Sequence, residues 1–201
     1  MSSEEPSVQE RIILAAIDCI EEEGIQDVTI RSIAAKARVN IAAINYYFRS
    51  KDTLMAVVVE NTTKHFIGDL LEYLDQTELS IRDRLRSMLR YLVDGAMRFP
   101  RISLANIYEV LVERREDGFF VEKFQLLLDR MLARMHEAMP EQDPGRLRFV
   151  VVQLMSAAMF PSLAPAVFRG FAGCDFREEE VRRGYVEFLV SSLIGGSGGD
   201  L

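Results

Sequence analysis

Apolar positions along the chain recur at three- and four-residue spacing, and the breaks between runs carry helix-end chemistry. Ile13, Ala16, Ile17 and Ile20 define a first helix, which Gly24 stops after the acidic run 21–23. Thr29 is placed to cap a short second helix through about Ala37, with Ile30, Ile33, Ala34 and Ala37 inward. Asn40 is placed to cap a third through about Tyr47. Ser50 is placed to cap a long fourth through Phe66, Leu70 and Leu74 to about Asp75, with Asp52 near the positive end of its dipole.

The second half reads the same way. Ile81–Met97 predicts a helix, and Pro100 suits the first turn of the next. Phe120, Phe124, Leu127, Leu128, Met131 and Met135 form an apolar stripe that ends before Pro140. Asp143-Pro144 is a cap followed by proline at the first helical position. From Val150 to Phe160, nine of eleven residues are apolar, so this helix is expected to be buried on every side, in a core or against a partner chain. Pro161, Pro165, Gly170 and Gly173 then break the pattern. Asp175 and Glu178 have capping-box spacing for a last helix showing Val181, Tyr185, Phe188, Leu189 and Ser192 on one side. No strand and no internal repeat is predicted.

Composition changes this picture in one place. The 201 residues are 49% hydrophobic, enough for a substantial core, and carry a net charge of −7. Yet Thr29–Lys51 holds Arg31, Lys36, Arg38, Arg49 and Lys51 with no acid among them. A duplex senses charge within about 8–10 Å at physiological salt, so this patch matters more to nucleic acid than the total. Cys19 and Cys174 are too few for a disulfide framework, and the N-terminus has no secretory pattern, so a cytoplasmic location without membrane attachment is expected. His65 and His136 lie far apart, which gives no support for a metal site, and no cofactor is expected. Cys174, in a glycine-rich loop, is the one candidate for a redox role.

The informative stretch is Thr29 to Leu54. Two short helices that cross closely need small residues at the crossing, which Ala34, Ala35, Ala37, Ala42 and Ala43 supply. Val39, Ile44 and Phe48 pin the second helix to the first, which turns Asn40, Ile41, Ala42, Asn45, Tyr46 and Tyr47 outward to varying degree. A recognition helix presents such residues to the major groove, where asparagine reads adenine and methyl groups meet thymine. Arg31, at the start of the preceding helix, is a further candidate contact.

These residues resemble the DNA-binding domain of the TetR family of bacterial regulators over positions 11–54. The resemblance rests on the Thr29-capped helix with Ile33-Ala34, the Val39 turn, and Tyr47-Phe48-x-Ser50-Lys51-x-x-Leu54. The recognition helix is similar to a subset of the family with the pattern Asn-x-Ala-Ala-Ile-Asn-Tyr-x-Phe. Arg38 stands where most members have glycine, and Asn45 where tyrosine is usual. The resemblance implies phosphate contacts at Thr29, Tyr47 and Lys51. It also implies an all-α fold: a three-helix helix-turn-helix domain (7–52) and a helical ligand-binding and dimerisation bundle (53–195), between flexible ends 1–6 and 196–201. Family membership further implies a two-fold dimer through the last two long helices.

From this follows the expected function: a ligand-responsive regulator, a repressor released from a palindromic operator in double-stranded DNA by a small molecule. The helix joining the domains, 50–75, would transmit the effector's presence to paired recognition helices that DNA needs about 34–36 Å apart. Candidate pocket residues are Phe66, Leu70, Met88, Tyr91, Phe120, Phe124 and Met131, with Glu109 as a polar group. Candidate homodimer contacts are Val151, Met155, Met159, Tyr185, Phe188 and Leu189. The alternative is a helical interaction protein, or a small-molecule-binding enzyme, that retains a helix-turn-helix shape. No phosphate loop, nucleophile elbow or ligand cluster supports an enzyme.

Overall fold

A computed structural model describes residues 6–194, and among these every regular element is helical. In chain order they are α1 (Val8–Glu23), α2 (Ile30–Ala37), α3 (Ile41–Phe48), α4 (Lys51–Leu74), α5 (Ile81–Arg98), α6 (Pro100–Leu111), α7 (Phe119–Ala138), α8 (Pro144–Leu163) and α9 (Glu179–Ile194), with a short 3₁₀ turn at Pro165–Val167. The expected flexible ends lie outside the described residues, save Pro6. No helix among the described residues is long and apolar enough to cross a membrane.

Contacts divide the chain into two compact units. The first takes residues up to Lys64 together with Phe99–Phe120. The second takes His65–Arg98 together with residues from Val121 onward. α4 begins in the first and ends in the second. α6, which follows α5 in sequence, is thus grouped by packing with the N-terminal helices.

In the first unit, α1 packs on α2 and on α6. Its core is built from Ile12, Ile20, Ile33, Ile44, Phe48 and Leu54, all essentially inaccessible. Burying each such side chain stabilises the unit by about 1.5–3 kcal/mol relative to exposure.

The second unit centres on α5, which packs against α8 and α9. Leu85, Met88, Leu89, Leu92, Val93 and Ala96 follow the three–four spacing of a half-buried helix and all point inward. Arg86 on α5 pairs with Glu187 on α9 at 2.5 Å, and Arg182 on α9 with Asp94 on α5 at 2.5 Å. Such partly exposed pairs contribute little, about 0–1 kcal/mol each, and mainly fix register.

Two sequence expectations change here. α8 does not stop at Pro161 but runs through it to Leu163. Proline has no N–H for the carbonyl four residues earlier, and that carbonyl, Ala157 O, accepts instead from the Tyr185 hydroxyl of α9 at 3.1 Å. The predicted capping box at Asp175 is also absent. Asp175 accepts from the backbone N–H of Arg177 at 3.1 Å and from its guanidinium, and α9 begins later, at Glu179. Those hydrogen bonds hold the Asp175 carboxyl down at about 2. The chain itself covers α8 on one side only, and its expected burial against a partner chain concerns the other. Leu147, Val150, Val151, Leu154, Met155 and Ala158 are buried, whereas Phe149, Val152 and Phe160 are exposed.

Candidate nucleic-acid interface

The N-terminal helices are set by local capping. Ser7 and Glu10 form a reciprocal capping box on α1. Gly24 ends that helix at φ 94°, a conformation costly for other residues. The Thr29 side chain accepts from Ser32 N at 3.1 Å, and the Asn40 side-chain oxygen accepts from Ala43 N at 2.7 Å. Ser50 Oγ accepts from Thr53 N at 3.1 Å and opens α4. Each cap satisfies one of the four N–H groups that a helix start leaves unpaired.

Between α2 and α3 the chain turns at Arg38, which sits in the left-handed region at φ 55°. Val39 N then reaches back to Ala34 O at 3.0 Å. Glycine is the usual residue for such a helix end, because a Cβ costs energy there. The arginine therefore exchanges a small amount of stability for a cation at the tip of the turn.

Ile44 and Phe48 lock α3 onto the core, and the other side of the helix faces solvent. Asn40, Ile41, Ala42, Asn45, Tyr46 and Tyr47 are all exposed, Tyr46 at 81% of its surface. The Tyr46 and Tyr47 rings meet edge to face at 5.2 Å. The six outward residues thus lie on one continuous helical surface, with Thr29 and Arg31 exposed on the preceding segment.

The five cations divide into two classes that charge counting does not separate. Lys36 pairs with Glu22 at 2.5 Å, and this hydrogen bond holds its pKa above the ordinary value. Lys51 is half-buried, with its ammonium donating to the carbonyl of Gln26 at 3.2 Å. Arg31, Arg38 and Arg49 are exposed and make no ion pair among the described residues. The positive surface is therefore principally that of the three arginines. Cys19, beneath α2, is fully buried, and burial pushes its thiol pKa up, which makes it a packing residue.

Sequence reasoning missed the part played by α6. Phe99, at its N-cap, has no side-chain oxygen to offer. The Glu21 carboxylate at the end of α1 accepts from the backbone N–H groups of Arg101 at 3.3 Å and Ile102 at 3.0 Å. The Arg101 guanidinium bonds the Glu22 carbonyl, Tyr108 bonds Gln26, and Thr62 of α4 bonds the Asn106 amide. A proline-started helix with phenylalanine at its cap signals that a partner must come from elsewhere, but not which one.

The remaining predicted residues fall out unevenly. Leu70, Met88 and Met131 are sealed in the core of the second unit, with Phe66, Tyr91 and Phe124 half-buried against it. Glu109 and Phe120 belong to the first unit, where Glu109 pairs with Arg115 at 3.3 Å. None of these lines the cleft of about 140 Å³ bounded by Arg82, Met135, Met139, Arg146, Leu147 and Ile194. Of the predicted dimer contacts, Val151, Met155 and Leu189 are buried within the chain's own core, and Met159 and Tyr185 are half-buried. Phe188 is exposed at 63%.

Comparison with known proteins fits this geometry. The family model for bacterial regulatory proteins of the tetR family matches residues 12–58. The HTH-type transcriptional regulator BetI of Stenotrophomonas maltophilia is 31% identical over 91 residues, which is 45% of this chain and 44% of that protein. The match thus spans less than half the length of that relative. A TetR-like transcriptional regulator from Rhodococcus sp. RHA1 superposes with a TM-score of 0.67 at 19% identity, covering 96% of this chain and all of that one. The transcriptional regulator FadR of Bacillus subtilis, solved in complex with stearoyl-CoA, superposes with a TM-score of 0.61 at 16% identity, over 90% of this chain and 97% of that one. Residues 12–58 of this chain are thus similar to the tetR family of bacterial regulatory proteins, and the all-helical fold is one that solved TetR-like regulators share.

Proposed function

We propose that this protein is a ligand-responsive DNA-binding transcriptional regulator, a repressor released from its operator by a small molecule. The observation that carries the reading is the outward face of α3, where Asn40, Ile41, Ala42, Asn45, Tyr46 and Tyr47 are exposed, accompanied by three arginines that make no ion pair among the described residues. Asn45, Ile41 and Ala42 are assigned to base edges in the major groove, and the Asn40 amide nitrogen remains able to donate although its oxygen caps the helix. Thr29, Arg31, Tyr46, Tyr47 and Lys51 are assigned to the phosphates, which position the protein without reading sequence. In this reading, residues 7–52 read DNA, and 53–195 hold the effector and the dimer contact.

The dimer is assigned to the exposed apolar residues Phe149, Val152, Phe160 and Phe188 of α8 and α9, joined by Met159. An apolar group of this kind on a chain surface marks an interface. The effector is assigned to the second unit, where Phe66, Tyr91 and Phe124 are half-buried over sealed Leu70, Met88 and Met131. A fold neighbour, FadR, has been solved with stearoyl-CoA, which shows that this fold accommodates a small-molecule ligand in that protein. α4 is continuous from Lys51 to Leu74 and serves as the transmitting element. The effector's differential affinity for two α4 positions sets the response, typically about 1–3 kcal/mol.

Selection of duplex DNA from a random pool by the full chain tests the proposal. The expected product is a palindrome whose half-site centres lie about one helical turn apart, bound with steep salt dependence. Absence of enrichment, or retention that is insensitive to salt, overturns the reading.

A further inference from the structure

Two of the arginines near α3 that make no ion pair among the described residues sit in backbone conformations that an L residue occupies at a cost. Arg38 ends α2 at φ 55° and ψ 47°. Arg49 ends α3 at φ 63° and ψ −42°, the centre of a three-residue turn in which Ser50 N donates to Phe48 O at 2.7 Å. That turn is rare because it strains any residue with a Cβ. At two other turns of positive φ the chain uses glycine, Gly24 and Gly173, which adopts the region freely.

Strain by itself marks nothing, since Arg114 has φ 54° in the loop after α6. What sets Arg38 and Arg49 apart is where they stand. They flank the outward face of α3, Arg38 shortly before the helix and Arg49 directly after it. Both are exposed, and no acid lies between them in the sequence. Asp52, the next acid along the chain, is exposed and makes no ion pair among the described residues. The helix between the two arginines has eight residues, which gives it a length of about 12 Å at about 1.5 Å per residue. The major groove of B-DNA is about 12 Å wide and has the phosphates of one strand along each rim. A guanidinium at each end of such a helix reaches from rim to rim.

We propose that Arg38 and Arg49 form a phosphate clamp, one arginine on each strand of a duplex whose major groove holds α3. The planar guanidinium fork bonds two oxygens of one phosphate at once, which a lysine ammonium does not. Phosphates carry no sequence information, so the clamp strengthens binding to every duplex alike and steepens its dependence on salt, without altering the bases selected. Glycine would hold both turns with less strain, so the fold does not need the arginines, and what they add at these turns is charge. The inference rests on the DNA-binding reading above and adds two contacts to those assigned there.

The test is fluorescence anisotropy of the full chain on the selected operator and on a duplex of random sequence, across a series of salt concentrations. Arg38→Gly and Arg49→Gly should each flatten the plot of log affinity against log salt by about one unit per chain bound. Each should also weaken both duplexes alike, by about tenfold at physiological salt. Arg38→Lys and Arg49→Lys keep a charge and should keep most of the slope. Arg38→Gln and Arg49→Gln remove the charge but keep a side chain, so the test stays decisive if a glycine variant fails to fold. Operators with one neutral methylphosphonate linkage at a time then assign the strands. One linkage that weakens wild-type binding should have no effect on Arg38→Gly, and another, on the opposite strand, none on Arg49→Gly. The proposal is overturned by an unchanged slope in a folded charge-removing variant at either position, or by a slope lost as fully with lysine as with glycine. Loss confined to the operator, or both linkages on one strand, overturns it as well. If the wild type binds neither duplex in a salt-dependent way, the regulator reading itself falls; if it binds and the variants match it, the clamp alone falls.

Discussion

In the proposed contact with DNA, Asn40 is where the fold and the reading of bases would compete for one side chain. Its oxygen is committed to Ala43 N at 2.7 Å, which leaves only the amide nitrogen for a base. Asn40→Ala removes both the cap and the nitrogen, and loss of such a cap costs about 1 kcal/mol (range about 0.5–2). For a chain of this size that lowers the thermal midpoint by about 2–4 °C for each kcal/mol lost. Asn40→Ser keeps an oxygen at capping distance, so its stability should lie within a few tenths of a kcal/mol of wild type, but it lacks the amide donor. If the nitrogen contacts a base, both variants lose about 1–3 kcal/mol of operator affinity and relax one position symmetrically in the two half-sites. Calorimetric melts and binding to the selected operator are then read side by side. A serine variant that is stable and binds with unchanged affinity and sequence preference refutes the base contact, leaving Asn40 as a cap. A serine variant as unstable as the alanine refutes the cap.

Three further outcomes are expected. Arg38→Gly relieves the left-handed conformation at φ 55° and should leave stability equal or raise it by at most about 1 kcal/mol, while flattening the salt slope of DNA binding by about one unit if Arg38 meets a phosphate. A clear loss of stability by chemical denaturation contradicts this account of the turn. Phe188→Arg and Phe149→Arg change residues exposed in the single chain, so helical content should be kept while light scattering shows a monomer; persistence of a dimer in both refutes the assigned face. Tyr185→Phe should cost about 1–2 kcal/mol by stranding the Ala157 carbonyl, and close to nothing when combined with Pro161→Ala, which restores an N–H to that carbonyl. Urea titrations at matched protein concentration measure the cycle, and equal costs in both backgrounds refute the link.

The parts legible in the sequence are those decided within one helical turn. The caps at Thr29, Asn40 and Ser50 are hydrogen bonds to a backbone N–H three residues on, so residue type and spacing announce them. The inward placement of Ile33, Ala34, Ile44 and Phe48 follows from a helical period with a polar opposite side. α8 gave no such contrast. With apolar residues on nearly every side, periodicity cannot tell Val151 and Met155, which go into the chain's core, from Phe149 and Val152, which stay outside. The phase of that helix is set by α5 and α9, not by its own pattern.

The same distinction explains the charge patch. Five cations without an intervening acid looked uniform, because pairing depends on residues far along the chain: Glu22 for Lys36, fourteen positions earlier, and the Gln26 carbonyl for Lys51, twenty-five earlier. The docking of α6 is more distant still, with Glu21 and Ile102 separated by eighty-one positions. What remains for the proposed contact with DNA is what the fold has not used. Once Ile44 and Phe48 are taken by the core, the Asn40 oxygen by the cap and Lys36 by Glu22, what is left on α3 and its flanks is Ile41, Ala42, Asn45, the two tyrosines, three arginines, the Asn40 amide nitrogen and the remaining donors of the Lys51 ammonium. That remainder combines methyl groups and amides on α3 with positive charge on the segments that flank it. Such a combination suits the major groove and its phosphate rims and contributes little to the stability of the unit that presents it.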